Sequence, residues 1–576
     1  MEVDKGMKNK CWTQESIATD FKMPISFNEE KIQLEEHIIV DLELSGPDSV
    51  YESILPSKTR AGKTIQRSWA SYYTKDKQFL KDTQKIYTNI DYKPEENTDE
   101  IMQLYEELQG DCNFLDRYSY IDWNHLDFLN KSSYFLGFMG LYNIFSPLLA
   151  LCLPIFLMIL PFFILKLQGV KLTWALYTQT LMFLFRNNVV GQLLLNFKEV
   201  SWEKRVYLII SCCMYLFQIY SNIISCIRYH NNMKHVHHIF KSLKSYINST
   251  SREIEKFITI TNNLETYKPF ISVLNDKLET LKHFQTKILF IEAYSWNVKE
   301  AMNIGVVMKE FHQLYSNPEI KDALSFSFGF HGYLENINMI ATSIRTGTMN
   351  ITKFNTKGKT KFTKAYYPSI PGAKAVTNDY DIDKNMIVTG PNASGKTTLL
   401  KTTMINIILS QQIGCGFFKK ATLDTYDRIH CYLNIPDTSG RDSLFQAEAR
   451  RCKDILESIE RDPLKRHFCV FDELYSGTNP YEAVATGVSY IEHLSKLRNV
   501  DIMITTHFID LCKHLDKNKR ISNCKMRIDI KENRDFHYSY KLEKGISSIK
   551  GGVKVLKDLC YPETIIHRSE NILGIS

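Results

Sequence analysis

A handful of residues in this chain have the types and spacings that handle a triphosphate. Gly390, Gly395, Lys396 and Thr397 fit the pattern G-x-x-x-x-G-K-[ST]. In that pattern the glycines let successive backbone N–H groups curl around a phosphate, and the following helix adds its positive N-terminal end. Lys396 then reaches the β/γ-phosphates as a point charge, and the Thr397 hydroxyl ligates Mg²⁺. The whole loop (Gly390, Pro391, Asn392, Ala393, Ser394, Gly395, Lys396, Thr397, Thr398) is expected to cradle the phosphates of ATP. Some 75 residues on, HFCVFDE (His467–Glu473) is an apolar run ending in two carboxylates. Asp472 suits Mg²⁺ coordination through water, and Glu473 suits polarising the attacking water. A further apolar run, Asp501–Thr506, ends at His507, an imidazole placed to hydrogen-bond a γ-phosphate. Ser443 heads a helical pattern, which makes it an N-cap by position. It is also a helix end that can be presented to the γ-phosphate held by another subunit.

Taken singly these signals are cheap. Ala61–Thr64 also reads AGKT, but Ser57 stands where the upstream glycine should be. Two acids after a strand more often open a loop, and a lone histidine is usually structural. Company decides: the buried-strand pattern MIVT (Met386–Thr389) precedes the phosphate loop, and an apolar-periodic helix follows and stops at Gly414. Together these pieces predict an α/β ATPase with a mainly parallel sheet.

The rest of the chain has to position this site. Its 576 residues allow several domains. The formal net charge of +7 permits anionic partners without demanding them. Thirteen scattered cysteines, with no C-x-x-C pair, suggest reduced thiols on the cytosolic side. The polar N-terminus lacks the apolar stretch of a signal peptide. Residues 1–45 read as a polar, loosely ordered lead-in, and residues 46–131 as the start of a helical core. From Lys58 to Lys85 basic residues interleave with aromatics, a composition that can grip nucleic acid or a membrane. A helix with one solvated basic face and an aromatic core face is the favoured reading.

Ser132–Leu165 carries no charged residue, and a second uncharged run covers Val206–Ile227. Each is long enough for a hydrocarbon core that needs about 20 apolar residues. Pro147, Pro154 and Pro161 recur every seventh residue, which membrane helices tolerate. The expectation is a transmembrane hairpin within 132–228, with spans at about 143–165 and 206–227 and an interfacial segment at 172–185. Two crossings put both ends on one side, and the ATP site requires that side to be cytosolic. Residues 229–350 follow as helical levers, and 351–576 as the ATPase domain.

With those motifs in place, the chain resembles the MutS family, whose ATPase is of the ABC class. The resemblance rests on Thr377-Asn378-Asp379, GPNASGKTT (Gly390–Thr398), QIGC (Gln412–Cys415), Ser443–Glu448, FDELYSGTNP (Phe471–Pro480) and TTHF (Thr505–Phe508). YKLEKG (Tyr540–Gly545) and GGVKVLKDLCYP (Gly551–Pro562) extend it into the tail. Upstream, Thr64–Tyr87 resembles the family's start of the helical core, without its glycine. The resemblance implies an ABC-type P-loop ATPase domain at the C-terminus, preceded by a long-helix core carrying the hairpin. It also implies a dimer, of identical or related chains, in which Ser443 acts in trans while Lys396, Thr397, Asp472, Glu473 and His507 act in cis. ATP and Mg²⁺ are the expected cofactors, and ATP state would move lever helices that clasp DNA.

The departures shape the function. Only about 50 residues precede the helical core, so no mismatch-reading or connector domain is expected, and the chain stops soon after the ATPase. The family's F-x-E probe occurs at Phe27–Glu29, Phe197–Glu199, Phe290–Glu292 and Phe471–Glu473, none in a glycine-rich strand context. Ala393 and Ser394 replace the Met-Gly of the repair proteins. The first expectation is a membrane-anchored, DNA-binding ATPase clamp, with DNA contacts unassigned. The alternative is a mechanochemical ATPase acting on a membrane or membrane partner without mismatch recognition. An ABC transporter would need some six spans per half, which two runs do not supply.

Overall fold

The computed structural model describes the chain except for residues 1–12, 14, 95–96, 168–172, 188–200, 293, 296–297, 371–373, 434–442, 531–535, 550 and 574–576. The F-x-E match Phe197–Glu199 and most of the link between the apolar segments lie outside the described residues. The chain divides into two compact units. One comprises Met1–Thr13, Glu96–Arg252 and Leu278–Leu324; the other comprises Gln14–Glu95, Glu253–Lys277 and Ser325–Ser576.

In the second unit residues 15–45, expected as part of a loosely ordered lead-in, pack into the core. Ile17, Phe21, Met23, Ile25, Ile38 and Leu42 are each at most 4% exposed. The Phe21 ring packs on Phe326 and Tyr333, with centroids 5.0 and 6.0 Å away. The apolar residues are few and spread among polar ones, so composition hid a segment that is part of the core. Strand β1 (Lys31–Gln33) pairs antiparallel with β2 (Tyr72–Thr74). Between them lies the helix Arg60–Ser68, which contains the second GKT. A Cβ on Gly62 would meet Glu335 Oε2 at 2.1 Å. That carboxylate accepts from the Lys58 N–H at 2.7 Å and the Thr59 hydroxyl at 2.5 Å, and so sits at the helix N-terminus, where negative charge is favoured. The glycine here admits a carboxylate of the protein itself. Gly62→Ala is expected to cost about 1–3 kcal/mol of stability with nucleotide affinity unchanged. Urea melts and a nucleotide titration check this, and an unshifted melt would refute it.

The basic and aromatic stretch also resolves structurally. Trp69 and Tyr73 are buried. Lys75 pairs with Asp427 at 3.0 Å, Lys77 with Asp424 at 2.6 Å and Lys85 with Asp82 at 2.8 Å. These are core aromatics and paired lysines.

The C-terminal part of this unit holds two sheets built from β3 (Asn350–Phe354), β4 (Lys361–Ala365), β5 (Asn378–Asp381), β6 (Asn385–Thr389), β7 (Cys415–Gly416), β8 (Lys420–Leu423), β9 (Arg428–Tyr432), β10 (His467–Asp472), β11 (Val500–Thr506), β12 (Ile521–Ile530) and β13 (Phe536–Lys544). The six-stranded sheet runs β13-β12-β6-β11-β10-β9 and is parallel except for its edge strand β13. The five-stranded sheet runs β5-β4-β8-β3-β7 and is antiparallel except between β3 and β8. The apolar runs Met386–Val388, Phe468–Phe471 and Ile502–Ile504 are buried throughout. That explains why they read as unbroken apolar stretches, as strands covered on both faces do. Because β6, β11 and β10 are neighbours, the loops leaving Thr389, Thr506 and Asp472 emerge side by side. Ligands of open α/β sheets bind at these carboxyl ends.

The helix Lys396–Ile413 is buried almost all round and ends at Gly414, whose φ of +71° makes a left-handed cap. Its last turn carries polar side chains that tie it to the N-terminal segment. Gln412 Nε2 donates to the Trp69 and Tyr72 carbonyls at 2.7 and 2.9 Å, and Gln411 Nε2 to the Thr74 carbonyl at 3.1 Å. Gln84 Nε2 reaches the Gly414 carbonyl at 2.7 Å.

Two buried histidines set an acid limit on this unit. Burial lowers His331 to about 4, and burial followed by the neighbouring His467 lowers His430 to about 3. Both stay neutral when folded, whereas in the unfolded chain they gain protons below about 6.5. The unfolded state therefore binds more protons, and stability falls as pH drops from about 6.5 toward 4, by up to about 1.4 kcal/mol per pH unit for each histidine. Urea midpoints at pH 7.5 and 5.5 test this, with His331→Gln expected to flatten the slope.

Among its described residues the other unit contains helices and their connections and no strand. Phe114 stacks on Tyr315 with centroids 3.8 Å apart, and Tyr118 meets Phe311 edge-on at 4.8 Å. The helix Ser133–Leu167 continues through its three prolines. It crosses the helix Val298–Ser316 at Gly137 and Gly305, where a Cβ on Gly305 would meet the Ser133 carbonyl oxygen at 1.9 Å. The helix Trp202–Thr261 packs against Ser133–Leu167, with the Tyr215 hydroxyl donating to the Ala150 carbonyl at 2.9 Å. Trp174–Asn187 forms a separate helix of 14 residues, about 21 Å long and too short to cross a bilayer alone. Two helices, over Ser133–Cys152 and Trp202–Thr261, are long and apolar enough to cross a membrane. Their apolar side chains face outward: Leu148, Phe156, Ile210 and Phe217 are 56–65% exposed.

Candidate ATP site

The loop after β6 folds as the sequence pattern demands. Gly395 has φ +93° and Ala393 φ +62°, two left-handed residues that turn the backbone back on itself. A Cβ on Gly390 would lie 2.6 Å from Ser394 Oγ, and one on Gly395 3.0 Å from the Tyr540 ring. The Ser394 hydroxyl closes the turn by donating to the Pro391 carbonyl at 2.7 Å. Lys396 lies beneath the loop, its Nζ donating to the Gly390 and Pro391 carbonyls at 3.0 and 3.2 Å. Burial lowers its pKa, and the nearby Glu473 and Asp472 partly restore it. A desolvated cation of this kind attracts phosphate charge strongly.

The ends of β10 and β11 meet this loop. The Thr397 hydroxyl donates to Asp472 Oδ2 at 2.8 Å, so the two groups expected at Mg²⁺ share one place. Glu473 Oε1 is 2.6 Å from His507 Nε2 and 3.8 Å from Lys396 Nζ. The hydrogen bond with His507 is the main cause holding the Glu473 carboxyl below the usual range, aided by the charges of His507 and Lys396 and opposed by burial. Glu473 is itself left-handed, with φ +53°. Its N–H is received by the Thr505 carbonyl and hydroxyl oxygens, both at 3.1 Å.

Thr505 is the residue that sequence reasoning passed over. Its hydroxyl also donates to Asp472 Oδ1, so one side chain orients both acids. The doubled threonine before His507 was the available signal. Also unassigned beforehand were Tyr367, Ile370, Met526 and Tyr540, which line a cavity of about 560 Å³ beside Asn392–Thr398. Its apolar and aromatic walls suit a base next to a phosphate loop. Asn378 braces that wall: its Nδ2 donates to the Tyr540 carbonyl at 3.1 Å, and its Oδ1 accepts from the Leu542 N–H at 2.8 Å.

Ser443 is not among the residues lining this cavity. It caps the helix Leu444–Arg461 in a reciprocal capping box with Gln446 and is exposed. Lys396, Thr397, Asp472, Glu473 and His507 are brought together; Ser443 faces outward at a helix N-terminus. The donor set fits a Mg-nucleotide: a cationic phosphate loop, a hydroxyl with a carboxylate for the metal, and a second carboxylate beyond.

Residues 386–574 match the family model described as MutS domain V. The chain is similar to Endonuclease MutS2 of Thermus thermophilus, 32% identical over 219 residues, covering 36% of this chain and 27% of that protein. It is also similar to Endonuclease MutS2 of Clostridium acetobutylicum, 26% identical over 369 residues, covering 58% of this chain and 44% of that protein. DNA mismatch repair protein MutS of Phocaeicola vulgatus is 28% identical over 209 residues, covering 35% of this chain and 23% of that protein. The chain thus aligns with about a quarter to less than half of the length of these relatives. The C-terminal part is an ATP-hydrolysing domain of the MutS type, and ATP with Mg²⁺ is what that domain type uses.

Proposed function

We propose that this chain is a membrane-held ATPase of the MutS type, whose nucleotide cycle acts on the membrane or on a membrane partner without mismatch recognition. The observation that carries the reading is one chain holding both the ATPase domain and two long helices with exposed apolar sides. Similarity to MutS2 proteins as well as to a mismatch-repair protein supports an ATPase function separable from mismatch reading.

In the site, the backbone N–H groups of Asn392–Thr398 and the Lys396 ammonium hold the β/γ-phosphates. Thr397 and Asp472 would hold Mg²⁺, which would supply neutralisation of phosphate charge. Glu473 takes the proton of the attacking water, with His507 fixing its carboxylate and facing the γ-phosphate. Ser443 completes the site of a second chain, so the working unit is a dimer. The hairpin spans the bilayer near 143–165 and 206–227, with the ATPase domain cytosolic.

Alkaline extraction of membranes tests the anchoring: the chain should stay in the membrane fraction, and full release into the wash would refute it. DNA remains the second reading because of one feature. Lys353 and Lys361 flank Thr422 on adjacent strands, and Lys420 lies two residues along on the same exposed face. Binding to homoduplex, mismatched and branched DNA, weakening steeply with salt and shifting with ATP, would favour that reading. No binding at low salt would remove it.

A further inference from the structure

The helix Leu444–Arg461 carries a carboxylate that the chemistry above does not use. Glu448 is 2% exposed. Its two oxygens accept from the Ser476 hydroxyl and the Gly477 N–H, each at 3.1 Å. The Tyr432 hydroxyl hydrogen-bonds the same carboxylate and itself receives the Tyr475 N–H at 3.3 Å. Every group gathered there, directly or through Tyr432, belongs to the loop that leaves Glu473. The loop also lies hard against the first turn of the helix. A Cβ on Gly477 would meet Leu444 Cγ at 2.7 Å and the Phe445 nitrogen at 2.9 Å.

The backbone gripped in this way is strained. Glu473 and Tyr475 have φ +53° and +58°, conformations that non-glycine residues keep only when the surroundings over-determine them. From one side the Glu473 N–H is fixed by Thr505. From the other, Glu448 fixes residues 475–477.

We infer that Glu448 is a positioning residue for hydrolysis. By holding the 475–477 backbone it sets the left-handed turn at Glu473 and hence the aim of that carboxylate. It also makes the helix capped by Ser443 and the loop carrying Glu473 a single mechanical body. Where Ser443 completes a partner's site, which rests on the reading above, nucleotide engaged at one site is felt by the catalytic glutamate of the other.

The test uses the full chain in detergent, with Glu448→Gln, Glu448→Ala, Ser476→Ala and the Gln/Ala double variant, reading kcat, KM and equilibrium Mg-nucleotide binding. Misaiming a reacting group costs up to about a hundredfold, so kcat should fall about tenfold in Glu448→Gln and about a hundredfold in Glu448→Ala, with nucleotide Kd within about twofold. The effects of the two changes on kcat should not add, because both act on the same 475–477 loop through contacting groups. A folded Glu448→Ala with wild-type kcat overturns the inference, as does a loss confined to nucleotide binding. If Glu448→Ala fails to fold, additivity in the Gln/Ala cycle overturns it instead. These readouts need no second chain, so failure of trans action by Ser443 would remove the inter-site consequence and leave the positioning role standing.

Discussion

Glu473→Gln is expected to lower ATP turnover by about 10²–10⁴-fold, the span of a general base, with nucleotide affinity unchanged or increased. The substitution keeps shape: the backbone N–H of residue 473 still binds Thr505, and the amide can still meet His507. What goes is the negative charge 3.8 Å from Lys396 Nζ, so the site becomes more attractive to a triphosphate as it loses its proton acceptor. Single-turnover hydrolysis beside a binding titration separates the two effects. Turnover at the wild-type rate would show that Glu473 is not the base. The pH profile adds a second check. Because the bond with His507 holds the Glu473 carboxyl of the free protein below its ordinary value of 4.5, the acid limb of kcat/KM, which reports the free enzyme, falls below that pH. His507→Ala removes the first cause of the shift, so the limb should move up in pH, and an unmoved limb would place the titrating group elsewhere.

The residues that meet at this site were legible where function is written locally. The phosphate loop is a contiguous stretch whose glycines and lysine have few other uses, and Asp472, Glu473 and His507 each end an apolar run that only a buried strand explains. What escaped has its meaning across sequence distance. Thr505 matters because β11 lies beside β10, and Glu448 because the loop after Glu473 folds under its helix. Gln411 and Gln412 read as the end of a helix, yet they bind carbonyls more than 330 positions away. The packing of residues 15–45 escaped for the same reason, since their sparse apolar residues acquire a partner only when Phe326 and Tyr333 are folded against them. The apolar helices were legible as runs, because their apolar length is uninterrupted in the sequence.

Gln411, Gln412 and Gly414 also anchor the far end of the phosphate-loop helix. The helix that begins at Lys396 ends in hydrogen bonds to residues 69–84, and the Glu335 carboxylate ties residues 58–59 to the helix Pro318–Arg345. The phosphate-loop helix, residues 57–84 and residues 335–336 are thus joined by hydrogen bonds within this unit.

Mixing two inactive chains gives the other large effect. Lys396→Ala removes the buried ammonium to which we assign the β/γ-phosphates, and loss of such a charge-assisted contact should abolish binding at working ATP concentrations. Ser443→Arg puts a long cation where a small exposed hydroxyl caps the helix, and should stop hydrolysis at any site that helix completes. Each chain alone is then dead. If Ser443 acts in trans, a mixed dimer holds one ruined site and one site with both an intact Lys396 and an intact Ser443. At equal mixing half the dimers are mixed, so about a quarter of the wild-type rate should return if the sites act independently and the chains exchange freely. If Ser443 acted in cis, every chain with a working Lys396 would carry its own arginine, and no mixing ratio would restore activity. Recovery that peaks at equal proportions thus separates the two arrangements, and it does so without any assumption about what the dimer acts on.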